Sequence, residues 1–264
     1  MTRVPDGLLP VSLLHGAARP DPADPAELYH EASKLYPSLR GRQATGIVRV
    51  ARDPLLQELA RRREPRRNPQ RRGLSLPAAA AADVPTRGQS PHGFDGRSIS
   101  LAALAAVLHA GYGVTGSSRR SIPSAGALYP LELYVAARRV RGLAAGVYHY
   151  DPLRHALDAI RAEGADGREL CEIATSPELL EGAAAIVFVS AVFGRTRVKY
   201  GLRGYRFALL EAGHCVQNML LAAHARKARA LPLGGYYDAR AEALLGVDGV
   251  DESVVYGVVL GGDA

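Results

Sequence analysis

Cysteine is scarce: Cys171 and Cys215 are the two in 264 residues. Two cysteines make neither a disulfide framework nor, by themselves, a thiolate metal site, so both read as partly buried thiols. The eight histidines are scattered, and no His-x-x-x-His or Cys-x-x-Cys spacing occurs, so a structural metal is not expected. Long apolar runs are also missing. No stretch approaches the roughly 18 residues of a membrane span, and none is expected. The N-terminal Gly7-Leu-Leu-Pro-Val-Ser-Leu-Leu14 is too short for a signal core and contains a proline, which points to a cytoplasmic protein.

Positive charge is present but confined. Residues 61 to 72 hold seven arginines against one glutamate, which accounts for +6 of the net +7. The remainder is nearly neutral, so the charge belongs to one tract and not to a basic face. The tract has no aromatic residue on which a base could stack, and no nucleic-acid partner is expected. It reads as a solvated linker, with an anionic leader peptide or partner protein as the ligand it could attract.

Length and composition suit a soluble protein with a sizeable core. Three regions follow: an N-terminal helical extension over 1–63, a linker rich in Arg, Pro and Ala over 64–85, and a compact domain over 86–264. Short helices are read at 26–36 and 53–63, the second with Pro54 in its first turn. Within the domain, Ser98 or Ser100 can cap a helix through Leu101–His109, ended by Gly111 and Gly113. Strands are read at 131–138, at 146–152, at 183–193 and at 253–260, and the third is apolar enough to be wholly buried. Helical segments are read at 166–175 and 239–245. Phe207 to Lys227 reads as a long helix, apolar on nearly all sides and central to the core. Helices and strands mixed without strict βαβ repetition argue for an α+β fold.

Two stretches stand out: Arg120-Ser-Ile-Pro-Ser-Ala-Gly-Ala-Leu-Tyr-Pro-Leu-Glu-Leu-Tyr134, and Arg197-Val-Lys-Tyr-Gly-Leu-Arg-Gly-Tyr-Arg-Phe-Ala-Leu-Leu-Glu-Ala-Gly-His-Cys-Val-Gln-Asn218. Taken alone, Ser124, Ala125 and Gly126 form a turn that leaves the main chain bare, with Pro123 and Pro130 fixing φ on either side. Pro232-Leu-Gly-Gly-Tyr236 offers a second bare turn. Lys199-Tyr200 by itself is a solvated lysine beside a packed tyrosine. Gln217 and Asn218, on a largely apolar helix, read as packing amides that need partners, and His214 as a core histidine.

Together, and in this order, these stretches resemble the SagB-type dehydrogenases, nitroreductase-fold flavoenzymes that oxidise azoline rings in ribosomal peptide natural products. The resemblance covers about residues 86 to 261, with a weaker echo at 26 to 36. It implies an FMN-dependent α+β fold with a central, mostly antiparallel sheet flanked by helices. It also implies a homodimer, an azoline-containing precursor peptide as substrate, and work beside a YcaO-type cyclodehydratase. By the same resemblance, Pro123, Ser124, Ala125 and Gly126 lie beside the flavin, and Gly234 and Gly235 pass near its N5 and O4 edge. Arg120 is a candidate for the phosphate. The Arg-Arg-Ser-like phosphate motif of the wider fold corresponds to Thr86-Arg-Gly-Gln-Ser90: Ser90 is in register, Gly88 stands at the arginine position, and Arg87 is one residue early. Lys199 and Tyr200 match the catalytic Lys-Tyr pair. The chemistry needs a base for the proton that accompanies hydride transfer, which a lysine sheltered from water could supply with the tyrosine orienting it. Arg203 and Arg206 could pair with Glu211 or with phosphate. Two other readings remain open at this point: an NAD(P)H-dependent nitroreductase or flavin reductase, and a flavin-poor scaffold subunit of a peptide-modifying complex.

Overall fold

The computed structural model describes residues 23–39, 50–61, 85–116, 119–161 and 167–262. The arginine tract beyond Arg61 and the linker up to Val84 lie outside the described residues. The chain divides into two compact units, Met1–Lys34 with Arg87–Ala264, and Leu35–Thr86.

In the larger unit, helix α1 (Pro25–Ser33) starts on Asp24, whose carboxylate accepts from the amides of Ala26 and Glu27. In the smaller unit, helix α2 (Pro54–Arg61) is capped in the same way by Asp53, which accepts from Leu55 and Leu56. Both helices fall where proline and aspartate predict them.

The larger unit is built on helices α3 (Leu101–Tyr112), α4 (Gly167–Ile173), α5 (Gly194–Tyr200), α6 (Leu202–Ala225) and α7 (Asp238–Leu245). Its sheet strands are β1 (Leu131–Ala137), β2 (Gly146–Asp151), β3 (Ala156–Arg161), β4 (Ala185–Val192), β5 (Ala230–Leu233) and β6 (Glu252–Leu260). They form one six-stranded sheet in the order β3-β2-β1-β4-β6-β5, and every neighbouring pair is antiparallel.

Strand periodicity divides the core into two layers. On one face Leu131, Leu133, Val135, Val187 and Val189 meet α3 and α6. On the other, Tyr134, Ala136, Ile186 and Phe188 meet α4 and α7. All eight residues of β4 are buried, as its unbroken apolar run requires. Helix α3 starts on Ser100, whose Oγ accepts from Ala103 N, and runs through Gly111 to Tyr112. Gly111 does not end the helix. It lets α6 approach, because a Cβ there would lie 2.5 Å from Met219 Cε.

Helix α6 departs from the sequence reading. One side is buried through Tyr205, Ala208, Ala212, Cys215, Val216 and Met219. The other is exposed through Leu202, Leu209, Leu210, His214 and Gln217. His214 is therefore not a core histidine, nor Gln217 a buried amide. Asn218 does pack, donating from Nδ2 to Ala110 O at 3.1 Å. Strand β3 and helix α5 were not read from the sequence. β3 is a mostly exposed edge strand without a clean apolar alternation. α5 is a short, basic helix whose residues alone resemble a loop.

Candidate active site

The loop between Ile122 and β1 is wound tightly. Ala125–Ala127 makes one 3₁₀ turn, closed by Ala127 N to Ser124 O at 3.1 Å. Gly126, Ala127 and Tyr129 have φ of 63°, 54° and 46°. A left-handed alanine and tyrosine each cost about 1–2 kcal/mol, so neighbours must hold them there. They do. Ser124 Oγ accepts from Tyr129 N at 2.9 Å, Arg195 Nη1 donates to Tyr129 O at 3.2 Å, and the Arg120 amide donates to the Tyr129 phenol at 3.4 Å.

Lys199 and Tyr200, at the end of α5, are brought onto this loop. A Cβ at Gly126 would lie 2.6 Å from Tyr200 Oη and 3.0 Å from Lys199 Nζ. The Lys199 ammonium also sits 5.3 Å from the Tyr200 ring centroid, and that ring meets Phe207 edge-on. Three contacts place α5. At its start Arg195 pairs with Glu132 at 2.6 Å. In its middle Arg197 pairs with Asp24 and with Glu27 of α1. At its junction with α6, Gly204 abuts the backbone of Thr196 and Arg197. Arg195 and Arg197 were not singled out in the sequence, because their acidic partners lie far away along the chain. Lys199 itself is exposed, so the shelter expected for it is not supplied by this chain.

Below the loop lies a buried polar cluster. Tyr112 Oη donates to Glu211 Oε1 at 3.0 Å and accepts from Leu131 N at 3.1 Å. The Arg120 guanidinium lies 5.3 Å from the Tyr112 ring centroid and 5.4 Å from that of Tyr129. Burial pushes the Glu211 carboxyl up to about 7, against opposing pulls from Ser124, Tyr112 and Arg120. Glu211 thus pairs with Tyr112 and not with Arg203 or Arg206. Beside this cluster, burial would raise Glu132, but His149 and Arg195 hold it below the ordinary carboxylate value, and the hydrogen bond to Glu132 raises His149.

The remaining candidates are elsewhere. Arg87 and Ser90 line a cavity of about 600 Å³ together with His92, His224, Lys227 and Arg229. Its lining contains cations and no carboxylate. Arg87 Nη1 donates to Ser90 Oγ at 2.9 Å. Gly88 faces His224, and a Cβ there would lie 2.8 Å from its Nδ1. A larger side chain at 88 would displace the His224 ring. Gly234 and Gly235 follow β5 out of this cavity's wall. Gly234 is exposed, whereas Gly235 is closed off by Thr175, whose Oγ1 donates to Gly235 O at 3.1 Å. The cavity and the Lys-Tyr loop line separate parts of one chain. Among the described residues no cluster suits a metal ion, and no helix is long and apolar enough to cross a membrane.

An antiparallel six-stranded sheet covered on both faces by helices, with a strained loop under a Lys-Tyr pair, defines a nitroreductase-like α+β scaffold. The model of the nitroreductase family matches residues 89–262, and the chain belongs to that family. It is 36% identical over 157 residues to MJ1384, a predicted nitroreductase of Methanocaldococcus jannaschii, covering 59% of this chain and 79% of that one. It is 31% identical over 137 residues to the microcin B17-processing protein McbC of Escherichia coli, covering half of each. The trifolitoxin-processing protein TfxB of Rhizobium leguminosarum is 34% identical over 109 residues, 40% of this chain and 29% of that protein. The matched segments thus span half of McbC and less than a third of TfxB. Among solved structures, the E. coli microcin synthetase McbBCD complex with truncated pro-MccB17 bound shares the fold, with a TM-score of 0.72 at 24% identity over 89% of this chain and 90% of that one. The likeness to peptide-processing proteins agrees with the SagB-type resemblance of the two motifs.

Proposed function

We propose that this protein is an FMN-dependent dehydrogenase that oxidises thiazoline or oxazoline rings to thiazoles or oxazoles in a ribosomally made peptide. The observation that carries the reading is the convergence of Lys199 Nζ and Tyr200 Oη on Gly126. FMN, when bound, supplies the hydride acceptor. The residues present fit such a group: Arg87, Lys227 and Arg229 surround a cavity suited to a phosphate, with Ser90 as a further hydrogen-bonding group. Pro123, Ser124, Ala125 and Gly126 present main chain to a flat ring, and exposed Gly234 is the nearer of the paired glycines to solvent. Lys199 takes the ring proton, and Tyr200 orients it or passes the proton on. Lys199 accepts the proton as its neutral amine, a form that closure of the substrate or of a second protomer over this exposed side chain would favour. The likeness to McbC and to a peptide-bound synthetase supports a leader-bearing precursor peptide and a YcaO-type cyclodehydratase as partners.

Two features support a homodimer. Val198, Leu202, Leu209 and Leu210 leave an apolar stripe on α5 and α6, with Leu210 63% exposed. The cationic cavity and the Lys-Tyr loop, separate in one chain, can meet across a two-fold axis. Light scattering should show a dimer, and Leu210→Glu should shift it toward monomer with loss of flavin. A stable, FMN-saturated wild-type monomer would contradict the arrangement.

The purified protein should be yellow and release FMN on denaturation. A colourless protein that also fails to take up added FMN removes the enzyme reading and leaves a scaffold subunit. The likeness to MJ1384 favours a second reading, a nitroreductase, which predicts rapid flavin reduction by NAD(P)H and a dispensable Lys199. A peptide bearing one azoline ring separates them: only the dehydrogenase removes two hydrogens from it.

A further inference from the structure

Glu211 is 2% exposed, and the proposed reaction does not use it. Its surroundings pair it incompletely. Oε1 accepts from Tyr112, but Oε2 is buried without a hydrogen-bond partner. The Ser124 hydroxyl lies beside the carboxyl. Its oxygen already accepts from Tyr129 N, so its hydrogen remains available. Arg120 brings a positive charge to the same cluster, and its Nε and Nη1 are buried without partners. The groups that face Glu211 are therefore Tyr112 from α3, Ser124 from the loop, Arg120 just before the loop, and Cys215 from its own helix.

We propose that Glu211 is a positioning residue whose protonation state sets the conformation of the Ser124–Tyr129 loop, and through it the alignment of Gly126 with Lys199 and Tyr200. The inference rests on the loop being the active-site loop proposed above. Ionised, the carboxylate can accept from Ser124 and attract Arg120, which draws the start of the loop inward. Protonated, it loses the charge that holds Arg120, and one oxygen becomes a donor. The acceptor that remains holds the Ser124 hydroxyl more weakly, and the left-handed Ala127 and Tyr129 lose part of what restrains them. Burial pushes the carboxyl up to about 7, so both forms are populated near neutral pH. The two forms differ in the hold on Ser124, whose Oγ accepts from the Tyr129 amide, so a proton inside the core changes the loop without touching substrate.

The test uses the free, full-length protein and needs no turnover. Hydrogen exchange at the Tyr129 amide, corrected for its intrinsic rate, is followed from about pH 5 to about pH 9. Wild type should show a change in protection on the order of tenfold, centred near 7. Glu211→Gln should abolish the transition, while amides of β4 stay unchanged in both. A wild-type profile without a transition, or one that persists in Glu211→Gln, overturns the proposal. Stability gives a second measure. The folded protein keeps a proton that the unfolded chain releases. This contribution is therefore full below the ordinary carboxylate range and is lost as pH rises through about 7. Urea midpoints of wild type should fall over that window relative to Glu211→Gln, and parallel curves would count against Glu211. If Glu211→Gln does not fold, Ser124→Ala serves: it should remove most of the Tyr129 transition while the carboxyl still titrates. A persisting exchange transition with no azoline oxidation would refute the proposed reaction and leave this inference standing.

Discussion

Lys199→Ala should keep the fold and its flavin but lose azoline oxidation by about 10²- to 10⁴-fold, the usual contribution of a placed general base. Lys199 is exposed at the end of α5 and bears no packing load, so its removal should leave thermal stability nearly unchanged. Tyr200→Phe separates two roles. If the phenol only orients the lysine, the loss should be smaller, and if it relays the proton, the loss should match that of Lys199→Ala. The measurement is single-turnover oxidation of a one-ring peptide, followed by mass, with flavin occupancy checked for each variant. Near-wild-type turnover by Lys199→Ala would refute the assignment and favour the nitroreductase reading.

Gly126→Ala should be nearly as damaging for a different reason. The added methyl would lie 2.6 Å from Tyr200 Oη and 3.0 Å from Lys199 Nζ, so both groups must move. A misplacement of about 1 Å at a reacting centre can cost about 10²-fold in rate. The left-handed backbone adds about 1–2 kcal/mol of instability, seen as a lower urea midpoint. Tyr200→Phe removes the atom that the methyl meets first. In the Gly126→Ala background it should therefore cost less than it does alone, a non-additivity expected of residues in contact. Strict additivity would show that Gly126 and Tyr200 do not share a site.

Several parts of this arrangement were legible from residues alone. Proline at the first turn and aspartate before it mark α1 and α2, because a missing amide and a short acceptor side chain suit a helix start. The apolar run of β4, rich in Ile, Val and Phe, reads as a strand buried on both faces, and all eight of its residues are buried. The long helix was legible in its body but not in its start, which is Leu202 and not Phe207, nor in its facing. Leu209 and Leu210 look like core residues in sequence, and only the packing of α6 shows that they point away from its own domain. Arg195 and Arg197 went unassigned, and Glu211 was matched with nearby arginines in place of Tyr112, for a related reason: a charge alone does not reveal its partner when that partner is tens of residues distant.

Local chemistry, then, is what the residues determine by themselves: bare main chain at Ser124–Gly126, a lysine beside a tyrosine, and a helix-strand order that supports only an α+β sheet. These follow from backbone sterics and from periodicity, which act over a few residues. Tertiary structure alone decided that Lys199 and Tyr200 stand over Gly126, that Glu211 lies beneath the same loop beside Arg120, and that Arg87 shares a cavity with Lys227 and Arg229. Contacts between distant segments depend on how sheet and helices pack, and that packing is set by the whole core together.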